Sequence, residues 1–468
     1  MSRAASFSLD DVTPALLAAH DKPGPRYTSY PTALAFHEGF HAAHHRASLE
    51  QLPPQTPLAL YVHLPFCARR CDFCGCNALV ANQPKTFARY HRSLLAEARM
   101  VANALGPNKQ RVLQLHFGGG TPTHLPHELL SDLLRELNDL FDIDPQGDIS
   151  IEAAPETTDD DQLHRLRALG FNRLSLGIQD FDPHVLAASG RPARRTDVAQ
   201  LVATARHLRF ASINFDMVYG LPAQTPSTFA ATLQRTISLQ PDRIAMYGFA
   251  YVPWMKKNQR RIDAARLPTR DERFGFLAQA IVGLTRAGYH TVGMDHFALP
   301  TDDLYQAAQQ GTLHRNFMGY TAHRTPVLVG LGLSAISSTA STYAQNHKSL
   351  SRYHAAIESG ELPVERGIAL ESDDLVRRTV ITDLMCHFAV SFADIEAQFD
   401  IDFARYFAPE LRALDAARQQ TDLPLTAQTP QRLEATPAGR LFIRNVCMHF
   451  DARLHKDRTD GPAYSRTV

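Results

Sequence analysis

No surplus of charge marks this chain: 48 lysines and arginines face 48 aspartates and glutamates, a formal net charge of zero with histidine neutral. A general nucleic-acid or membrane-surface binder carries a basic excess, so neither partner is expected. No stretch approaches the roughly 18 uninterrupted apolar residues of a membrane-crossing helix. The opening Met1-Ser2-Arg3-Ala4-Ala5-Ser6-Phe7 lacks an apolar core of leader length. Cysteine is scarce, six in 468 residues, which excludes a disulfide-stapled scaffold. With 44% hydrophobic residues the chain has ample material for a large core and more than one domain. Reduced thiols point to the cytoplasm.

What is present is concentrated. Three of the six cysteines, Cys67, Cys71 and Cys74, fall at C-x3-C-x2-C spacing just after the apolar run Leu58-Ala59-Leu60-Tyr61-Val62. Three thiolates hold three irons of a cubane [4Fe–4S] cluster, where an electron carrier uses four, and the fourth iron is left open for a substrate or cosubstrate. A structural zinc site wants four ligands, usually as two separated pairs. Cys76 as the fourth would crowd all the ligands into ten residues, and no second pair follows at finger spacing. Cys386 and Cys447 lie in apolar contexts and read as small core residues.

From about 57 to 300, short apolar runs alternate with helical patterns. Strands are expected over 57–63, 111–117, 148–153, 172–178, 212–218 and 243–249, with an amphipathic helix over 126–141. Thr158-Asp159-Asp160-Asp161 and Thr225-Pro226-Ser227 read as helix starts, Gly170 and Gly288 as helix ends. Repeated βα units imply a parallel sheet. Polar or glycine residues recur at the strand ends: Gly118-Gly119-Gly120, Glu152, Gln179-Asp180 and Asp216. In a (β/α) barrel those ends form one rim, where active sites are built. Residues 1–50 show little regular pattern and read as an arm, extended over 23–32 because three prolines exclude a helix. The segment 301–370 reads as a barrel extension. Residues 371–468 read as a helical, winged-helix-like C-terminal domain, with helices at 372–388, 391–398 and 409–420 and a final apolar one near 437–454.

The cysteine run with Phe73 before its last member resembles the radical S-adenosylmethionine superfamily. Within it the chain resembles the oxygen-independent coproporphyrinogen III oxidases. Supporting runs include Pro23-Gly24-Pro25-Arg26-Tyr27-Thr28-Ser29-Tyr30-Pro31-Thr32, Cys74-Gly75-Cys76-Asn77, His116-Phe117-Gly118-Gly119-Gly120-Thr121-Pro122-Thr123, Gly177-Ile178-Gln179-Asp180-Phe181 and Asp216-Met217-Val218-Tyr219-Gly220-Leu221-Pro222. They continue with Gly293-Met294-Asp295-His296-Phe297-Ala298, Leu313-His314-Arg315-Asn316-Phe317 and Arg444-Asn445-Val446-Cys447-Met448. The resemblance implies a partial (β/α)6 barrel of the α/β class, with an N-terminal extended arm and a mainly helical C-terminal domain. It also implies a [4Fe–4S] cluster on Cys67, Cys71 and Cys74, and cleavage of S-adenosylmethionine to methionine and 5′-deoxyadenosine. Two propionates of coproporphyrinogen III would become vinyl groups, giving protoporphyrinogen IX. A reductant such as flavodoxin or ferredoxin and a monomeric state go with it.

The resemblance further implies two S-adenosylmethionine molecules. The first would contact Tyr61, Gly119, Glu152 and Ile336; the second Phe73, Gly120, Thr121, Gln179, Arg191, Asp216 and Ala250. The types suit: glycines admit close backbone approach, Glu152 accepts from an ammonium group, and Arg191 grips a carboxylate bidentately. Gly118–Gly120 also reads as a plain turn, and Ile336 as core. For the tetracarboxylate substrate the candidate cations are Arg26, Lys256, Lys257, Arg260 and Arg315, each also readable as surface charge. Tyr27 and Tyr30 either flank a pyrrole or pack the arm against the barrel. One departure stands out: Glu152-Ala153-Ala154-Pro155 replaces the family's common Glu-x-Asp-Pro. The related radical S-adenosylmethionine haem chaperone, which binds and passes on haem, lacks the proline-rich arm and usually the Cys-Gly-Cys continuation; this chain has both.

Overall fold

The computed structural model describes residues 7–454 and 464–467. Residues 1–6, read above for a leader, 455–463 of the C-terminal region, and Val468 lie outside them. All six expected strands form: β1 (Leu58–Leu64), β2 (Arg111–Gly119), β3 (Asp142–Ala153), β4 (Arg173–Gln179), β5 (Ser212–Tyr219) and β6 (Arg243–Gly248). Each pairs in parallel with the next. Such a ladder needs long crossovers, supplied by helices such as Pro84–Ala104, His127–Leu140 and Pro226–Leu239. β3 begins at Asp142 rather than 148, because Asp142 and Ile143 pair with Arg111 and Val112 ahead of a register shift.

Helix boundaries follow local chemistry. The Asp159 carboxylate accepts from Gln162 N, and the Thr225 hydroxyl from Thr228 N with Pro226 in the first turn. Gly170 and Gly288 leave their helices at φ +100 and +90, a region only glycine enters without cost.

The sheet extends past the expected six strands. Beyond β6 come β7 (His290–Val292) and β8 (His296–Ala298). Beside β1 lie β9 (Val327–Leu331), β10 (Ile336–Ser338), β11 (Thr342–Asn346) and β12 (Val364–Ala369). The order is β12-β11-β10-β9-β1-β2-β3-β4-β5-β6-β8-β7. β9 runs parallel to β1, so a seventh parallel strand joins the core, and the flanking strands are antiparallel. Leu60, Phe117, Ile151, Leu176 and Phe215 are buried under the helices and fix the register.

Residues 23–32 contain no helix, as expected, but the arm as a whole is not irregular. Helices form at Pro14–His20 and Ala42–Glu50. Thr13 caps the first by accepting from Leu16 N at 3.2 Å, a Thr-Pro start too short to show an apolar period. Tyr27 and Tyr30 are buried in a core with Val376, Leu384, Phe403 and Phe450 of the C-terminal region, while their carbonyls accept from Arg315 and Tyr343. Tyr27 donates to Asp451 Oδ2 at 3.0 Å, and Arg444 Nε to Pro25 O at 2.8 Å.

The C-terminal region has helices Ser372–His387, Phe392–Phe399 and Ala408–Gln419. The single helix expected over 437–454 is instead two short ones, Pro437–Leu441 and Ile443–Met448. Buried Phe442 at φ −112, ψ 29 breaks the spiral. A three-stranded antiparallel sheet from Ala389–Ser391, Thr426–Gln428 and Arg432–Ala435 completes it.

Candidate active site

The cysteine loop starts where β1 ends, and the glycine run at the end of β2 holds it there. Gly120 N donates to Leu64 O and Thr121 N to Phe66 O, both at 2.9 Å. A Cβ on Gly120 would lie 2.6 Å from the Pro65 backbone, and one on Gly119 2.6 Å from the His63 ring. The glycines are therefore required by the chain's own backbone crossing, before any ligand is considered. On the other side, the buried Asn258 side chain donates to the carbonyls of Asp72 and Cys74, each at 2.9 Å, and of Cys71 at 3.3 Å. Gln259 Nε2 donates to Phe73 O and Ala250 O, each at 3.0 Å.

Cys67, Cys71 and Cys74 line one wall of a cavity of about 520 Å³ and form no disulfide. Burial pushes the Cys71 thiol up to about 11 and raises Cys67 as well, whereas hydrogen bonding from Cys76 brings Cys74 down to about 6. Among the described residues, the group of ligand atoms tight enough to share one ion is Asp148, Asp303 and His323, not these thiols. Three thiols on one loop suit a polynuclear cluster, each taking its own iron. The carboxylates of the other group are ion-paired with Arg173.

Opposite the thiols, Glu152 accepts from Gly119 N at 3.1 Å and lies 3.4 Å from His116 Nε2. Burial alone would raise its pKa, but these partners hold it below its ordinary value. Asp216, on β5, accepts from Ser175 Oγ and Asn214 Nδ2, both at 2.9 Å; burial and the Glu152 charge raise it. The two carboxylates are thus shifted in opposite directions, Glu152 down by its donors and Asp216 up by burial and its neighbour's charge. Gly119, Gly120, Thr121, Phe73 and Gln179 share the same cavity.

Other expected residues sit differently. Tyr61 lies behind the lining, stacked on His116 at 5.9 Å with its hydroxyl 2.9 Å from His63 Nδ1. Ala250 and Ile336 are outside the lining. Arg191 is within it, yet its bidentate face is occupied by Glu156, with both N···O distances at 2.8 Å. Asp180, at the same rim, is fully buried and ties Gln224 and Thr232 together. Arg26, Lys256, Lys257, Arg260 and Arg315 do not line the cavity; its cations are Arg69, Arg70, Arg173, Arg191 and Arg243. Arg173 and Arg243 close its floor through ion pairs with Asp148, Asp302 and Asp303.

Residues 61–236 match the radical SAM superfamily, and 370–442 match the HemN C-terminal domain. The oxygen-independent coproporphyrinogen III oxidase of Pseudomonas aeruginosa is 44% identical over 94% of this chain and 95% of its own length. The chain belongs to the oxygen-independent coproporphyrinogen III oxidase family. The Escherichia coli member is 42% identical over 97% of this chain and 98% of its own. The solved structure titled coproporphyrinogen III oxidase (HemN) from Escherichia coli superposes with a TM-score of 0.87, covering 92% of this chain and 98% of that one. Membership of this family and superfamily implies a [4Fe–4S] cluster and S-adenosylmethionine.

For a coproporphyrinogen III oxidase the sequence reading missed Asn258 and Gln259. They follow Lys256-Lys257 in a polar run that looks like surface loop, and only the fold reveals that they grip the cysteine loop. The cavity floor was missed for a related reason: Asp302 and Asp303 come from a segment distant in sequence from Arg173 and Arg243. Among the described residues no helix is long and apolar enough to cross a membrane.

Proposed function

We propose that this protein oxidises coproporphyrinogen III without oxygen, turning two propionate side chains into vinyl groups and giving protoporphyrinogen IX. The observation that carries this reading is that three free thiols, the glycine run and the carboxylates of Glu152 and Asp216 converge on one cavity. When bound, the cluster and S-adenosylmethionine supply one-electron reductive cleavage and a hydrogen-abstracting 5′-deoxyadenosyl radical. Each conversion removes a hydrogen from a propionate β-carbon, then CO2 and one electron.

The chain's own groups bind and orient. Glu152, kept anionic by His116 and Gly119 N, accepts from the ammonium group of a first cosubstrate. Its place is fixed by Tyr61, which stacks on His116 from behind. Gly119 presents backbone to the same end, and Gly120 and Thr121 to a second cosubstrate. Asp216, Gln179 and Phe73 face that second cosubstrate, with Asp216 accepting from hydroxyls. Arg191, already neutralised by Glu156, contributes the remainder of its guanidinium edge rather than a free bidentate grip. The ion pairs of Arg173 and Arg243 hold the inner end of the cavity in place. Electrons come from a low-potential carrier such as flavodoxin or ferredoxin, and the protein works as a monomer in the cytoplasm.

Anaerobic incubation of the reconstituted protein with a reductant, S-adenosylmethionine and coproporphyrinogen III should yield protoporphyrinogen IX and CO2, read by mass spectrometry. Tight stoichiometric haem binding without turnover would replace this reading with the haem-chaperone one.

A further inference from the structure

A second cavity, of about 80 Å³, lies on the other face of β6. Met246 and Gly248 line it, whereas Arg243 and Tyr247 line the active cavity, as the pleat of a strand dictates. Four arginines from four separate segments surround it: Arg26 of the arm, Arg273 of the helix Arg270–Arg286, Arg444 of Ile443–Met448, and Arg466. Two carboxylates stand close by, Asp295 in the cavity lining itself and Asp21 against one of the four arginines. Asp21 pairs with the exposed Arg466 at 2.6 Å, and Asp295 with His296 Nδ1 at 2.6 Å.

The other three guanidinium groups are held by neutral carbonyls. Arg26 Nη2 donates to Gly248 O at 2.8 Å, and Arg273 Nη2 to Phe249 O at 3.1 Å. Arg444 donates to the carbonyls of Pro25, Arg466 and Gly24. Among the described residues no carboxylate forms an ion pair with any of the three, and the buried Arg273 Nε has no partner at all. Burial, with Arg26 adding repulsion, brings Arg444 down to about 9 and lowers Arg273 too. Three desolvated guanidinium groups that share Asp295 only at a distance, with no direct ion pair, are costly, and guanidinium forks match planar or tetrahedral oxyanions.

We propose that this cavity binds a small oxyanion of phosphate or carboxylate type, held by Arg26, Arg273 and Arg444 and separate from the active cavity. The volume admits an inorganic phosphate or one carboxylate arm, not a nucleotide or a tetrapyrrole. Bound there, the anion cross-links the arm, the barrel and the C-terminal region through the charges each contributes.

The test is anaerobic calorimetric titration of cluster-loaded protein with inorganic phosphate, at ionic strength held constant with chloride. Saturable binding of a single phosphate is expected, weakened about tenfold or more in Arg273→Gln, where a charge-assisted hydrogen bond is lost. Arg273→Gln should also melt higher than the wild type in chloride alone, because it removes an unpaired buried charge. Repeating the titration with coproporphyrinogen III present separates the sources: binding abolished assigns the site to a substrate propionate, and binding retained assigns it to a free anion. A wild type that shows no saturable phosphate binding overturns the proposal, whatever the variant does. So does a folded Arg273→Gln that binds phosphate as tightly as wild type.

Discussion

Cys67, Cys71 and Cys74 share a short loop yet differ in setting, and Cys76 beside them differs again. Cys76 is exposed and hydrogen-bonds to Cys74. Replacing any one of the three with serine should abolish the cluster's charge-transfer absorption and all turnover. Cys76→Ser should keep both the absorption and the bound iron; loss of iron there would show that the ligand set includes it. At the opposite wall, Asp216→Asn should leave cluster absorption intact and lower protoporphyrinogen formation more than release of 5′-deoxyadenosine. Its partners Ser175 and Asn214 also bond each other, Asn214 Nδ2 donating to Ser175 Oγ at 2.8 Å, and a parallel loss of both products would remove Asp216 from the second-cosubstrate role.

At the level of elements, the cysteine loop is clamped between the β2 glycine run and the Asn258–Gln259 pair. Gly120→Ala places a methyl 2.6 Å from the Pro65 backbone, with no flexible side chain to yield, and should prevent cluster assembly as read by iron content. Asn258→Ala takes a donor from three loop carbonyls, of which Cys71 O keeps Cys74 N at 3.3 Å, at a cost of about 1–3 kcal/mol to the loop. The expected result is a cluster that forms but bleaches faster in air, with little change in global melting. Much of this was legible in advance. The strands declared themselves by apolar runs bounded by glycine and polar residues, and the rim residues by their place at strand ends. What stayed hidden depends on long-range contacts: Asn258 on Cys74, Glu156 on Arg191, Asp302 on Arg243. Local spacing carries no trace of such pairs. Tyr27 and Tyr30 show the same gap, since their sequence fits ligand stacking as well as packing, and only the C-terminal core decides between them.

Across the whole molecule, one buried carboxylate couples barrel and extension. Glu97, on the helix Pro84–Ala104 and 1% exposed, accepts from Gly332 N at 2.8 Å, and from Asn346 Nδ2 and Tyr353 Oη, each at 2.6 Å. Burial outweighs these donors and lifts its pKa to about 7. A carboxyl whose pKa is higher folded than unfolded stabilises the fold at low pH and loses that contribution as pH rises through the folded value. Stability should therefore fall between about pH 5 and 8 by on the order of 3 kcal/mol, and Glu97→Gln should flatten that slope in chemical unfolding. An unchanged slope would show that Glu97 does not titrate in this range. The seating of Tyr27 and Tyr30 has a temporal side as well. Their pocket is built from residues 376–450, so during synthesis the arm emerges first and finds its berth last. Until the ribosome has released that far end, the two tyrosines lack the core that buries them, and the arm is held only by contacts elsewhere, such as those with Tyr343 and Gly367.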